Sequence, residues 1–224
     1  CPLTDLQARL YREMAEAVRR DFGEGIGSIG GERQIHFLAA ITRLRQICCD
    51  PRLLPEEVRP ESQREHFESG KILSGKLEAL LEKLDETLHD NRKVVIFSQF
   101  VRFLDVLREL LAERYPGADL FELSGRVRDR AMPVEGFQSS ERPGIMLASL
   151  KAGGVGVTLH AADYVFILDP WWNPAVEQQA IDRVHRIGQD KTVFVYRFVA
   201  ASTLEESIQN LKRSKSELFR DVVE

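Results

Sequence analysis

The N-terminal part of the chain carries two stretches in which apolar residues return at helical spacing. Thr4 and Gln7 form the pattern of a capping box, so a helix is predicted to begin there. The glycine-rich segment 23–31 predicts a loop, and the second helix must end by Asp50 because Pro51 disfavours helical geometry in the residue before it. The apolar positions of the two helices are Leu3, Leu6, Leu10, Met14 and Ala17, and then Ile35, Leu38, Ile41, Leu44 and Ile47.

The pattern changes after residues 55–70, which are almost wholly polar. Beyond them short apolar runs alternate with amphipathic helices, which predicts an α/β fold whose parallel sheet is covered by helices on both faces. We therefore expect a helical extension and linker over residues 1–70 and one α/β domain over 71–224. Functional residues should gather at the carboxyl ends of the strands. The predicted strands are 94–97, 120–123, 145–148, 164–168 and 193–199, with helices from Leu77, near Phe103, after Pro174 and after Thr203.

Composition narrows the class of protein. Hydrophobic residues make up 43% of the chain and charged residues 29%, which argues against a disordered, fibrous or disulfide-stapled protein. No apolar run is long enough to span a membrane and no signal-peptide pattern is present, so an intracellular protein is expected. Because the chain opens on Cys1 rather than Met, we expect a segment of a longer protein. Cys1, Cys48 and Cys49 have no metal-ligand spacing and are expected to be reduced thiols, with no metal bound.

The formal net charge is −4, so any nucleic-acid contact must come from a local patch. One phosphate-binding pattern is present but incomplete. Gly70, Gly75 and Lys76 satisfy G-x-x-x-x-G-K, yet Leu77 stands where a hydroxyl must coordinate Mg²⁺, and no strand precedes Gly70. A working P-loop is therefore not predicted.

A second glycine-rich segment directly follows the predicted strand 145–148. Gly153, Gly154 and Gly156 allow a phosphate or a backbone to approach closely, although a tight turn is the alternative. A dinucleotide-binding fingerprint is disfavoured because Leu159 replaces its third glycine.

The most specific segment is 178–189, which reads Gln-Gln-Ala-Ile-Asp-Arg-Val-His-Arg-Ile-Gly-Gln. Asn173 as N-cap and Pro174 as first helical residue predict a helix that continues to about Gly188. Side chains that emerge together beside its apolar stripe could bind phosphate oxygens, and a solvated or salt-bridged face is the alternative. These side chains are Gln179, Arg183 and Arg186.

Two adjacent tryptophans follow the predicted strand 164–168, just after Asp169. Trp171 and Trp172 can both be buried only if the turn directs them apart, so at least one is expected to be half exposed, for packing or for stacking on a ligand. His185 is expected to have a surface or supporting role rather than a catalytic one.

Together these segments resemble the C-terminal helicase lobe of the Swi/Snf-type DNA translocases of helicase superfamily two, over roughly residues 40–210. The matching segments are 44–54 ahead of the lobe, 74–77 at its entry helix, 95–100 (motif IV), 123–125 with Arg130, 149–158 (motif V), 169–174 (the coupling motif) and 179–189 (motif VI).

The resemblance implies a RecA-like second lobe that closes over ATP and Mg²⁺ held mainly by a first lobe that this chain lacks. Arg183 and Arg186 would be arginine fingers, supported by Gln179 and worth about 10³–10⁵ in rate. The residues that would line the nucleotide are Gly153, Gly154 and Gly156.

The resemblance also implies contacts with the backbone of double-stranded DNA and a link between the two sites through Asp169 and Trp172. Lys151, Thr158 and the Pro170-Trp171 pair depart from the usual family residues and leave the fingers intact. The residues that would face DNA are Ser98, Gln99, Ser124, Gly125, Arg126, Ser149 and Lys151.

The leading hypothesis is therefore half of a DNA-dependent ATPase that translocates on double-stranded DNA, with a nucleosome or RNA polymerase as further partners and no membrane. The isolated chain is expected to hydrolyse almost no ATP, because it lacks a P-loop and an acidic box. One alternative is an inert nucleic-acid-binding or protein-binding module with the same fold, and another is a Rossmann-type metabolic enzyme. The excess of arginine over lysine favours a bacterial cytoplasm and nucleoid, with a nucleus as the alternative.

Overall fold

The computed structural model describes residues 1–23, 31–61, 67, 73–150, 157–185 and 192–212. The chain divides into two compact units. One comprises Cys1–Ala79 with Ala200–Ser207, and the other Leu80–Val199 with Ile208–Glu224. The expected division at residue 70 stays a prediction.

Two helices form much of the first unit, α1 over Asp5–Phe22 and α2 over Glu32–Cys49. The predicted capping box is confirmed, since the Gln7 backbone amide donates to Thr4 Oγ1 at 3.3 Å and the Thr4 amide donates to Gln7 Oε1 at 3.1 Å. Helix α2 ends before Asp50, as Pro51 predicted, and short 3-10 turns follow over Pro51–Leu53 and Glu56–Val58.

Gln7 also has a second role that the capping pattern did not reveal. Its side chain is completely buried, Nε2 donates to the carbonyl oxygen of Ile47 at 2.7 Å, and Oε1 accepts from the amide of Gly75 at 3.0 Å. A single side chain thus satisfies backbone groups from three separate segments of this unit.

The apolar positions of α2 do not form one buried face. Leu44 and Ile47 are 4% and 1% exposed, whereas Ile35 and Leu38 are 67% and 55% exposed. A step of three residues along an α-helix is about 60° short of a full turn. The three such steps from Ile35 to Leu44 add up to about 180°, so these two residues lie on opposite sides of the helix. The strict spacing predicted the helix correctly and its buried side only in part.

The cysteines are free thiols, as expected, and Cys48 and Cys49 are completely buried. Burial, followed by the nearby Glu205 carboxylate, raises the pKa of the Cys48 thiol to about 12. Cys48 is therefore an unreactive packing residue.

The remaining elements alternate along the chain as the sequence predicts. Five strands form one sheet in the order β2-β3-β1-β4-β5, and every strand pair is parallel. Residues 94–97 of β1 are 0% exposed, so this central strand is covered on both faces. The elements are α3 (Gly75–His89), β1 (Lys93–Ser98), α4 (Val101–Arg114), β2 (Asp119–Leu123), α5 (Ala131–Ser139), β3 (Gly144–Ser149), β4 (Tyr164–Ile167), α6 (Pro174–Ile181), β5 (Phe194–Arg197) and α7 (204–212).

Helix α5 was not predicted, because Pro133 and Gly136 weaken the helical pattern there. The Asp129 carboxylate accepts the Ala131 amide at 3.0 Å and holds the first turn. A Cβ on Gly136 would lie 2.7 Å from the Phe121 ring, so the glycine allows α5 to approach β2.

Within the described ranges, no helix is long and apolar enough to cross a membrane. Among those same residues, no three His, Cys, Asp or Glu side chains come together as metal ligands.

Candidate nucleotide and nucleic-acid interface

Four neighbouring strands end in polar residues at the same edge of the sheet. Ser124 follows β2, Ser149 ends β3, Ser98 ends β1, and Asp169 lies just beyond β4. Ser98 and Ser149 are register partners. Residues from four distant sequence segments therefore converge at the carboxyl edge, where ligands bind in open parallel sheets.

Asp169 joins two of these segments. Its carboxylate is 0% exposed, accepts the Ser98 hydroxyl at 2.5 Å, and accepts the backbone amide of Gln99 at 3.1 Å and 3.2 Å. A buried carboxylate requires such donors. The turn after β4 is thus held directly to the end of β1.

The hydroxyl groups of Ser98 and Ser124 at this edge hydrogen-bond to other side chains of the protein. Ser98 and Ser124 are both 0% exposed, and Ser124 donates to the Glu122 carboxylate at 2.7 Å. Ser149 is also buried. These serines shape the edge of the sheet in this structure, and their hydroxyls do not lie on its surface.

The exposed polar groups come from the loop after β2. Gly125 and Arg126 are exposed, and a Cβ on Gly125 would meet no atom within 4 Å. Arg126 Nη1 donates to both carboxylate oxygens of Asp105, at 2.9 Å and 3.0 Å. Gln99, which directly follows β1, is half-buried. The pairing with Asp105 was not predicted, since helical spacing alone does not reveal which loop cation α4 will meet.

The two tryptophans behave as expected. Trp171 is half-buried and packs against the core of the sheet, whereas Trp172 is 56% exposed. Trp172, three residues after Asp169, therefore presents an aromatic surface in the turn that Asp169 anchors.

Helix α6 begins as predicted, because Asn173 Oδ1 accepts the Ala175 amide at 3.0 Å and Pro174 occupies the first turn. The prediction that it continues to about Gly188 is wrong, since the helix ends at Ile181. Beyond that point the bonding is mixed, since the Val184 amide bonds three residues back to Ile181 at 2.9 Å and the His185 amide bonds four residues back to the same carbonyl at 3.0 Å.

A tertiary bond accompanies this ending. The Leu159 amide donates to the Arg183 carbonyl oxygen at 2.8 Å, which ties the segment after the second glycine-rich stretch to the segment after α6. Arg183 is half-buried and Gln179 is exposed. The helical alignment expected for the three side chains thus does not extend through Arg183. The predicted residues that lie outside the described part of the chain are Gly70, Lys151, Gly153, Gly154, Gly156 and Arg186.

A buried carboxylate anchors α6 to its surroundings. Glu177 is 4% exposed and pairs with Arg197 at 2.6 Å and with Lys212 at 2.7 Å. Burial raises the pKa of Glu177, but hydrogen bonds from Lys212 and Arg197 outweigh it and hold that pKa below its ordinary value. The sequence did not predict this role, because the three residues lie far apart along the chain.

Lys76, which completes the P-loop-like pattern, is committed elsewhere. Its Nζ lies 2.7 Å from the Glu205 carboxylate, and the two side chains are 1% and 0% exposed. A Cβ on Gly75 would lie 1.9 Å from the Pro2 carbonyl oxygen, so this glycine permits a close backbone approach. Gly75 and Lys76 therefore both serve packing within the first unit.

Comparison with known proteins gives consistent matches. Residues 75–188 match the family described as "Helicase conserved C-terminal domain". The chain is 37% identical to a Mycoplasma pneumoniae protein named "Uncharacterized ATP-dependent helicase", over 96% of this chain and 19% of that protein. Among the first relatives that it matches, this chain covers between 12% and 23% of each protein's own length.

Two solved structures superpose over the whole chain. The "Sulfolobus solfataricus SWI2/SNF2 ATPase C-terminal domain" has a TM-score of 0.74 and 29% identity, covering 100% of this chain and 87% of that one. The "Sulfolobus solfataricus SWI2/SNF2 ATPase core in complex with dsDNA" has a TM-score of 0.76 and 31% identity, covering 100% of this chain and 44% of that one.

Proposed function

We propose, given that this chain belongs to the helicase conserved C-terminal domain family and is the C-terminal lobe of an SNF2-type helicase ATPase, that it serves as the second RecA-like lobe of an ATP-driven translocase on double-stranded DNA. The observation that carries the proposal is the convergence of Ser124, Ser149, Ser98 and Asp169 at one edge of the parallel sheet. This convergence supports the proposal because ligands of open parallel sheets bind at the carboxyl edge.

On the nucleotide side, Arg183 and Arg186 would supply positive charge to the phosphoryl group transferred from ATP, with Gln179 in support. Such charge is effective when it is fixed before the reaction and aimed at oxygens that become more negative in the transition state. Because Lys76 is ion-paired with Glu205, ATP and Mg²⁺ would be held mainly by the first lobe of the parent protein.

On the DNA side, phosphates would be contacted by Arg126, Lys151 and the groups at Gln99 and Gly125, without reading of the base sequence. Arg126 would contact phosphate through its remaining guanidinium N–H groups, or through Nη1 after exchanging its bond to Asp105. Asp169 and Trp172 would connect the DNA edge with α6. With a bacterial cytoplasm as the location, RNA polymerase is the further partner in the same proposal, and a nucleosome is the partner if the location is a nucleus.

The test is ATP hydrolysis by the full-length parent protein with and without duplex DNA. Arg183→Ala and Arg186→Ala are expected to lower DNA-stimulated kcat by about 10³-fold or more while duplex binding is kept. Arg142→Ala is the matched control, because this exposed arginine bonds Gly117 and Pro116 at the opposite end of the sheet.

The outcomes separate the candidate functions. Stimulated turnover that depends on both arginines supports the translocase. A folded parent protein that binds DNA but hydrolyses no ATP would instead identify an inert binding module. Rapid turnover by this chain alone would overturn the assignment of ATP to the other lobe.

A further inference from the structure

One side chain outside the recognised motifs contacts the segment that follows the second glycine-rich stretch. Gln138, in the last turn of α5, donates from Nε2 to the Thr158 carbonyl oxygen at 2.8 Å and accepts the Ala161 amide on Oε1 at 2.9 Å. Its Nε2 also lies 3.1 Å from His160 Nδ1. The amide group therefore spans the turn 158–161 from both sides.

The same turn carries the bond to Arg183. Leu159 is 0% exposed, and its amide donates to the Arg183 carbonyl oxygen at 2.8 Å. The Ala162 amide closes the turn by donating back to the Leu159 carbonyl at 3.1 Å. Gln138 and Arg183 thus hold the same short turn from two directions.

The Arg183 backbone lies just beyond the end of α6 and is held from two directions. The Arg183 amide donates to the Ala180 carbonyl at 3.3 Å, and the next amide, of Val184, donates to the Ile181 carbonyl at 2.9 Å. From the other direction, the amide of the buried Leu159 reaches the Arg183 carbonyl at 2.8 Å. The position of the Arg183 backbone therefore depends in part on where the turn 158–161 is held.

The backbone at the end of α5, which carries Gln138, is itself held in place. Lys93 Nζ, on β1, donates to the carbonyl oxygens of Phe137 at 2.7 Å and Gln138 at 3.2 Å. Phe137 is 0% exposed and its ring lies beneath the same ammonium group. Because the backbone at the end of α5 is fixed in this way, the Gln138 side chain can hold the turn 158–161 in a fixed position.

We propose that Gln138 is a positioning residue for Arg183, acting through the turn 158–161. This inference rests on the proposed function, in which Arg183 contacts the transferred phosphoryl group. A shift of that backbone would weaken an interaction that matters most in the transition state, so kcat should fall more than the apparent affinity for ATP.

The test measures DNA-stimulated kcat and KM for ATP in the full-length parent protein. Gln138→Ala removes all the side-chain bonds and is expected to lower kcat by about fivefold to tenfold, with KM changed by less than about twofold. Gln138→Glu keeps the volume and the acceptor for Ala161 but cannot donate to the Thr158 carbonyl, and should also lower kcat. Ser139→Ala is the matched control, since that exposed hydroxyl bonds only within α5, and it should leave both constants unchanged.

A double-mutant cycle distinguishes positioning from general damage. In an Arg183→Lys background, Gln138→Ala should have less than half its effect on log kcat, because the group that it positions is already altered. Additive effects, an unchanged kcat, or a rise in KM alone would overturn the proposal. If the unsubstituted protein shows no DNA-stimulated turnover, the proposed function fails. In that case the melting temperatures of the two Gln138 variants report whether the side chain holds the turn at all, and unchanged values would overturn the contact itself.

Discussion

Loss of the buried ion pair between Lys76 and Glu205 should cause a large change in stability. Lys76 Nζ lies 2.7 Å from both carboxylate oxygens of Glu205, the two side chains are 1% and 0% exposed, and Oε2 also accepts the Ala200 amide at 2.9 Å. Lys76→Met keeps the apolar stem but leaves a carboxylate buried without its cation. Breaking such a pair from one side costs about 3–5 kcal/mol.

The pH dependence of this effect follows from the pKa of Lys76. Burial lowers that pKa, but Cys49 and Glu205 beside the amine outweigh it and raise the pKa above its ordinary value of 10.5. A raised pKa in the folded state stabilises the protein fully below the unfolded value and is lost only as the pH rises through the folded one. The contribution of Lys76 to the stability of the unsubstituted chain should therefore be constant from neutral pH up to about pH 9.

The assay is urea denaturation followed by circular dichroism. Lys76→Met and Glu205→Gln should each lower the free energy of unfolding, and the double variant should lose less than the sum of the two. Lys83→Met is the matched control, because Lys83 pairs with Glu86 on the exposed surface and should contribute little. A loss below about 1 kcal/mol for Lys76→Met would refute the reasoning.

Three further predictions address α6, the DNA edge and the packing of the first unit. Glu177→Gln should lower the melting temperature at neutral pH. Its difference from the unsubstituted chain should shrink as the pH falls below the ordinary glutamate pKa of 4.5, because the folded-state pKa of this carboxyl is lowered despite burial. Melting curves across pH would show a constant difference if the ion pairs were unimportant. Asp105→Asn removes the carboxylate that pairs with Arg126, so duplex binding in anisotropy titrations should tighten by about twofold to fivefold at low salt, with a steeper salt dependence. An equal affinity would count against the proposed contact between Arg126 and DNA phosphate. Gly75→Ala brings a Cβ to 1.9 Å from a backbone carbonyl and should destabilise the chain by about 1–3 kcal/mol in urea titrations, whereas Gly117→Ala meets open space and should not.

The strands were predictable because each is a short run of apolar residues bounded by turn residues, as in the fully buried run 94–97. The capping box at Thr4 and the proline at position 51 likewise act locally, so their effects could be predicted from neighbouring residues alone. The end of α6 could not be predicted in this way. The bond between Leu159 and Arg183 joins residues that are distant in sequence.

In the candidate site, too, the placement of residues could be predicted from the sequence, whereas their long-range contacts could not. The topology of a parallel sheet was enough to predict that functional residues would gather at the carboxyl ends of the strands, where Ser98 and Asp169 lie. Their direct hydrogen bond, and the engagement of Arg126 with Asp105, depend on side-chain geometry that spacing does not encode. Gln138 was missed because it lies in a helix that proline and glycine concealed.

The unequal burial of the two tryptophans gives the molecule an optical reporter. Trp171 lies against the core and Trp172 is 56% exposed, and they are the only two indoles in the sequence. In a Trp171→Phe variant the emission would come from Trp172 alone, beside the turn that Asp169 anchors. Its wavelength and its quenching by iodide would then follow events at this edge of the sheet in real time, without an attached dye.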